Sequence, residues 1–200
     1  MNLDGVAANE PTRIEGVDRQ AAVLVPVIER QTDREPHLLF IKRSDYGDHA
    51  GQMAFPGGGR EPEDEDLFAT ALRESDEEVD LDPSTVTYVG QLDDIETVTG
   101  YSVSPFVARV PDAVFTPDER EVAEIAVLPV ADLTDLANYE CERRHHPTYG
   151  DIKVHYFHVG GYTVWGATGR ILVQFLELTT DWRVPEGEEY VADSDADLGT

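Results

Sequence analysis

"GGGREPEDEDLFATALRESDEEVDL" runs from Gly57 to Leu81 and crowds Glu74, Glu77 and Glu78 into little more than one helical turn. Like charges at that spacing repel, so the cluster destabilises its segment unless positive charge lies against it. Either solvent and salt carry that cost or a bound cation does. The periodicity predicts a helix over 64–79, with Asp64 as N-cap and acidic residues in the first turn. Phe68, Ala71, Leu72, Ser75 and Val79 form its buried stripe, and Thr70, Glu74, Glu77 and Glu78 occupy a neighbouring face. Arg73, four residues before Glu77, can tie back one carboxylate. Several hard oxygen ligands around one small volume suit Mg²⁺ or Mn²⁺. The glycines ahead of the helix permit close backbone approach and can offer a carbonyl. Together these residues point to metal-assisted phosphate chemistry. The plainer alternative is a solvated acidic face.

The composition bears on both readings. The chain has 200 residues, 41 acidic against 15 basic, and a formal charge of -26. That balance argues against nucleic acid or an anionic membrane as partner. Acidic residues alternate with apolar runs such as "AAVLVPVIER", which a disordered acidic chain would lack. We read a folded protein of the halophilic type, in which salt near 1 M, with a Debye length of about 3 Å, screens the self-repulsion. Cys141 is the single cysteine, so neither a disulfide framework nor a multi-cysteine zinc site is expected. The opening residues carry no basic-then-apolar leader, and no apolar run approaches a membrane span. A soluble, cytoplasmic protein is the expectation.

Working outward from the quoted stretch, "AAVLVPVIER" (21–30) and "HLLFIKR" (37–43) read as a hairpin, and "GQMAFPGGG" as a short strand ending in a glycine turn. Further strands are expected at 84–92, 104–110 and 124–130, with more strand in "GDIKVHYFHVGGYTVWG". A second amphipathic helix is expected over 167–179. Strands outnumber helices, so the fold class is α+β, an α/β/α sandwich in which helices flank a mixed sheet. Residues 1–18 form an irregular or loosely docked lead-in, 19–182 one domain, and 183–200 an acidic, disordered tail.

Gly59, five residues, Glu65, seven residues, then Arg73-Glu74 with Glu77-Glu78 and Leu81 resembles the Nudix box, G-x5-E-x7-R-E-U-x-E-E-x-G-U, where U is bulky and aliphatic. Ser75 stands where U is usual and Asp80 where glycine is usual. Asp80 must then adopt a left-handed conformation, at a cost of about 1 kcal/mol. "LLFIKRSDYGDHAGQMAFPGG" and "TVTGYSVSPFVARV" resemble the coenzyme A pyrophosphatase branch of that family, as do "EVAEIAVLPV" and "YTVWGATGRIL". The branch usually has another arginine before the histidine, where this chain has Gly47 and Asp48.

The resemblance implies the Nudix fold and hydrolysis of a nucleoside diphosphate derivative. Coenzyme A or an acyl-CoA would give 3′,5′-ADP and 4′-phosphopantetheine. It implies Mg²⁺ or Mn²⁺ on Glu74, Glu77 and Glu78 with a carbonyl from Gly59 or Gly58, and catalytic roles for Glu78, Glu77, Arg73 and Glu121, with Glu119 as another outside carboxylate. Glu65 would brace the loop–helix junction. Substrate contacts would fall to Arg43, His49, Gly57, Gly58, Thr99, Gly100 and Tyr101. The partner would be a small CoA-type nucleotide, and the chain a homodimer. The alternatives are cleavage of ADP-ribose- or NADH-type substrates, and a Nudix module that binds a nucleotide without cutting it. Away from the box, Arg143-Arg144 and His145-His146 read as surface loop. His155 and His158 point to opposite faces of a strand, and Tyr162 and Trp165 read as packing residues.

Overall fold

The structure, a computed structural model, describes the chain except for residues 31–34, 45–50, 98–99, 147–149, 187–189 and 192–200. His49, Thr99 and the Gly47-Asp48 pair lie outside the described residues.

β1 (Gln20–Glu29) and β2 (Pro36–Arg43) form the expected antiparallel hairpin, with Val27 opposite Leu38 and Glu29 opposite Pro36. Beyond that register the two strands splay. β3 (Met53–Ala54) enters the fork on the β2 side, and β4 (Gly57–Gly59) on the β1 side, where Val23 faces Gly57 and Ala21 faces Gly59. β5 (Thr87–Gln91) and β6 (Ile95–Glu96) both run antiparallel to β7 (Ser102–Val110), which is parallel to β1 from Gln20 to Ile28. β8 (Val122–Pro129) runs antiparallel to β2. The sheet is therefore mixed, as expected.

Alternation along β1 divides the core in two. Ala22, Leu24 and Ile28 face a cluster with Ala71, Val79 and Leu81. This is where α2 (Leu67–Val79) packs. Val25 and Val27 face the other way, toward Ile171, Leu172, Phe175 and Leu176 of α4 (Gly166–Thr179). The expected flanking helices are thus present, one on each face. The α4 side also holds a second sheet. Its strands are β9 (Tyr139–His146), β10 (Gly150–Val159), β11 (Tyr162–Val164) and β12 (Tyr190–Val191).

Three segments differ from the sequence reading. Residues 143–146 are not loop but the outer half of β9, where charges on both faces hide the period of two. The lead-in is not loosely docked: Leu3 and Val6 are buried beside a helical turn, α1 (Asp4–Ala7). Asn9, Thr12 and Ile14 then bond to Gln91, Asp93 and Asp94. Polar docking of this kind leaves no hydrophobic trace in the sequence. In the tail, Tyr190–Val191 pair parallel to β9, just beyond Trp182, which is buried at the end of the domain. A further helical turn, α3 (Val130–Leu133), follows β8. Among the described residues no helix is long and apolar enough to cross a membrane.

Candidate functional site

α2 starts three residues later than its acidic prelude suggests, because Asp66, not Asp64, is the cap; its side chain accepts the Ala69 N–H at 2.8 Å. A cap of this kind stabilises by about 1 kcal/mol. Asp64 is left to do something else. Nearly buried, it accepts hydrogen bonds from Glu61 N–H (2.8 Å), Thr70 Oγ1 (2.8 Å) and Arg73 Nε (3.0 Å) and Nη2 (3.2 Å). The Arg73 guanidinium, aided by these other donors, holds the Asp64 carboxyl well below the usual range, against its burial. Arg73 also reaches Gly59 O (3.0 Å), Glu74 Oε1 (3.0 Å) and Glu77 Oε2 (3.2 Å). One arginine therefore joins the glycine run, the helix entry and two box glutamates.

Glu65, expected to brace this junction, is exposed, and Asp64 braces it instead. The sequence did hold a signal. Gly58, five residues and Asp64 also satisfies the G-x5-acid spacing, and Gly57, Gly58 and Gly59 each find an acid at that spacing, Glu63, Asp64 and Glu65, which leaves the register ambiguous.

The buried stripe of α2 is also rotated. Thr70, Ala71, Ser75, Glu78 and Val79 are buried, while Phe68 and Leu72 are half-buried. Phe68 leans on Tyr88 and Phe106, with ring centres 5.0 and 5.4 Å away. The Ser75 hydroxyl is satisfied by Ala71 O at 2.7 Å, which lets it occupy an aliphatic position. Asp80 takes the left-handed conformation expected of it (φ 57°).

The rotation turns Glu78 inward, where only 3% of it is exposed and its Oε2 accepts the Gly57 N–H at 2.8 Å. Burial pushes its carboxyl up to about 8; Gly57 and Arg43 oppose the shift, and Glu74 and Glu121 add to it. Burial likewise raises Glu74, against Arg73 and with Glu77 and Glu121 adding. Glu121 is brought here by the start of β8, where its carbonyl accepts the Ser44 N–H at 2.9 Å. Arg43, at the end of β2, pairs in register with Val122. The fork thus gathers Arg43, Glu74, Glu77, Glu78 and Glu121 from three elements. Glu119 is exposed.

Two glycines make the fork possible. A Cβ on Gly58 would lie 2.6 Å from the Glu74 carboxylate, and one on Gly57 would strike Ala22 O at 2.2 Å, at a φ of +150°. Gly100 and the half-buried Tyr101 stand at the start of β7, beside Arg19, whose guanidinium lies 4.0 Å over the Tyr101 ring.

The sequence profile of the NUDIX domain matches residues 18–149. The chain belongs to the Nudix family. An uncharacterized Nudix hydrolase named NudL from Cronobacter sakazakii is 42% identical over 161 residues, covering 77% of this chain and 79% of its own. NudL of Escherichia fergusonii is 39% identical over 161 residues with the same coverage. The solved structure of the Nudix hydrolase RenU from M. smegmatis gives a TM-score of 0.49 at 19% identity, over 58% of this chain and 73% of that one.

In this Nudix chain, no three His, Cys, Asp or Glu side chains among the described residues converge on a metal position as they stand. The donor set nonetheless fits a hard divalent cation. The like charges of Glu74 and Glu121 make Glu78 a weaker acid, those of Glu77 and Glu121 do the same to Glu74, and Arg43 opposes the first effect and Arg73 the second. Glu78 is buried with a backbone N–H as its partner. A cation held among them would supply the charge this arrangement lacks. The Gly59 carbonyl, one of the implied ligands, is occupied by Arg73.

Proposed function

We propose that this Nudix chain hydrolyses the diphosphate bond of coenzyme A or an acyl-CoA, giving 3′,5′-ADP and 4′-phosphopantetheine or its acyl form. One observation carries the hydrolase reading: buried Glu78 sits in the fork with Glu74, Glu121 and Arg43, beside glycines whose lack of a side chain lets the Glu74 carboxylate and β1 close in. The similarity of the flanking segments to the coenzyme A branch supports the substrate.

Glu74, Glu77 and Glu78, with Glu121, would hold Mg²⁺ or Mn²⁺. Such an ion neutralises the diphosphate and acidifies water. Arg43 faces the same volume and suits a non-bridging phosphate oxygen. Water adds to one phosphorus, the bridging P–O bond breaks, and a carboxylate of the cluster takes the proton. Arg73 keeps the helix and the glycine run in register, and Asp64 keeps Arg73 in place.

A substrate that is itself a polyanion must approach a chain of charge -26. Activity is therefore expected to need salt as well as metal. The deciding experiment mixes the protein with CoA and Mg²⁺ or Mn²⁺ in about 2 M KCl, separates the products, and runs Glu78→Gln alongside. Appearance of 3′,5′-ADP that collapses in the variant supports the proposal. Cleavage of ADP-ribose or NADH but not CoA would retain the hydrolase and overturn the substrate. Nucleotide binding without turnover would make the chain a recognition module.

A further inference from the structure

Two arginines meet the β6–β7 hairpin, one from the residue before the adjoining strand β1 and one from α4. Arg19, just before β1, stacks 4.0 Å over the Tyr101 ring and donates from Nη2 to the Tyr101 hydroxyl at 2.8 Å. Arg170, near the start of α4, donates from Nη1 to the Glu96 carbonyl at 3.5 Å, the outer limit of such a bond. Glu96 pairs with Ser102 in the hairpin ladder, and the Ser102 N–H bonds to the Arg19 carbonyl at 2.9 Å. The two guanidinium groups therefore sit on neighbouring rungs, in a chain where acids outnumber bases 41 to 15.

Hydrogen bonds tie Tyr101 back to Thr97. The Tyr101 N–H bonds to Thr97 Oγ1 at 3.1 Å, and the Tyr101 carbonyl accepts the Thr97 N–H at 2.9 Å. Ala22 faces Gly58, which abuts the Glu74 carboxylate, and the Arg19 backbone lies three residues back, just before the same strand begins, about 10 Å away at about 3.3 Å per residue. The edge between them is β4, made of glycine alone.

We propose that Arg19 and Arg170 form a second anion subsite, which holds a phosphomonoester on the nucleoside part of the substrate while the carboxylate cluster works on the diphosphate. This rests on the reading that the cluster cleaves a nucleoside diphosphate derivative. Guanidinium groups suit phosphate because their planar fork donates two parallel hydrogen bonds. Such a subsite selects nucleotides that carry a phosphate beyond the diphosphate over those that do not.

The test compares CoA with 3′-dephospho-CoA in the wild type, Arg19→Gln, Arg170→Gln and the double variant. The wild type is expected to favour CoA about 10-fold or more in kcat/KM, chiefly through KM. Each single variant erodes that preference and the double variant abolishes it. The loss falls on CoA and spares 3′-dephospho-CoA, which a general folding defect would not do. Calorimetry of 3′,5′-ADP against 5′-AMP without metal measures the same preference independently of turnover. An unchanged preference in the double variant, by kinetics and by calorimetry, overturns the subsite. If the wild type cleaves neither substrate, the hydrolase reading fails and the calorimetry still decides the subsite. Inorganic phosphate binding through the same arginines as tightly as 3′,5′-ADP would make this a free-anion site and overturn the proposal.

Discussion

Asp64 holds Arg73 through two hydrogen bonds, Oδ1 to Nε at 3.0 Å and Oδ2 to Nη2 at 3.2 Å, from nine residues earlier in the chain. Because Arg73 in turn grips Gly59, Glu74 and Glu77, this contact is expected to govern both stability and turnover. Asp64→Asn should cost about 2 kcal/mol of unfolding free energy and lower kcat. Glu65→Gln should change stability by less than about 0.5 kcal/mol, since Glu65 is exposed. Denaturant unfolding of the pair measures the contrast, and equal effects would return the bracing role to Glu65.

Gly58 and Gly57 should fail in different ways. A Cβ at 58 meets the mobile end of Glu74, so Gly58→Ala is expected to fold but to displace that carboxylate, weakening Mg²⁺ binding about 10-fold or more. A Cβ at 57 meets backbone, so Gly57→Ala is expected not to fold. Circular dichroism and a metal titration separate the two outcomes.

With its carboxyl pushed up to about 8, Glu78 carries a proton at neutral pH in the absence of a cation. The folded state then binds more protons than the unfolded chain between about pH 4.5 and 8, so this group's contribution to stability falls as pH rises through that window. A divalent ion must displace the proton. Mg²⁺ binding at pH 7 should therefore release about one proton, with none released above about pH 9 or in Glu78→Gln. Calorimetry in buffers of different ionisation enthalpy reads the number directly.

His155 behaves in the opposite sense. Buried on β10, it bonds through Nδ1 to the Tyr139 hydroxyl at 2.7 Å. Burial, with the charges of Lys153 and Arg170, pushes it down to about 4. The unfolded chain takes up a proton near 6.5 that the folded state refuses until about 4. Stability from this site is thus complete above about pH 6.5, is lost as pH falls toward 4, and is level below that. Unfolding midpoints of wild type and His155→Gln across pH 4–7 should converge as the pH drops. Parallel curves would show that the group does not act.

The sequence disclosed elements whose periodicity answers to a single packed face. The β1–β2 hairpin and α4 show the same apolar spacing in the chain and in the fold. It disclosed the box glutamates because their spacing is set by the helix alone. It misplaced the brace at Glu65, because three neighbouring acids offered equivalent positions and only the reach of Arg73 selects Asp64. It set Glu78 on a face beside the buried stripe rather than in it, because nothing in the composition leads one to bury a carboxylate until the Gly57 N–H and the fork are seen. Arg19 carried no signal at all, since its partner Tyr101 lies 82 residues away.

That same separation governs when the site comes into being. β1 joins β7 in parallel across 82 residues, from Gln20 to Ser102. Closing so wide a loop costs chain entropy before its contacts give any return, which makes pairings of this kind slow. Until β1 and β7 zip together, the groove that receives α2 is incomplete, and Glu78 stays wet with ordinary acidity. Competence therefore arrives late and all at once during folding, and a nascent or partly unravelled chain carries no half-formed centre to capture metal out of turn.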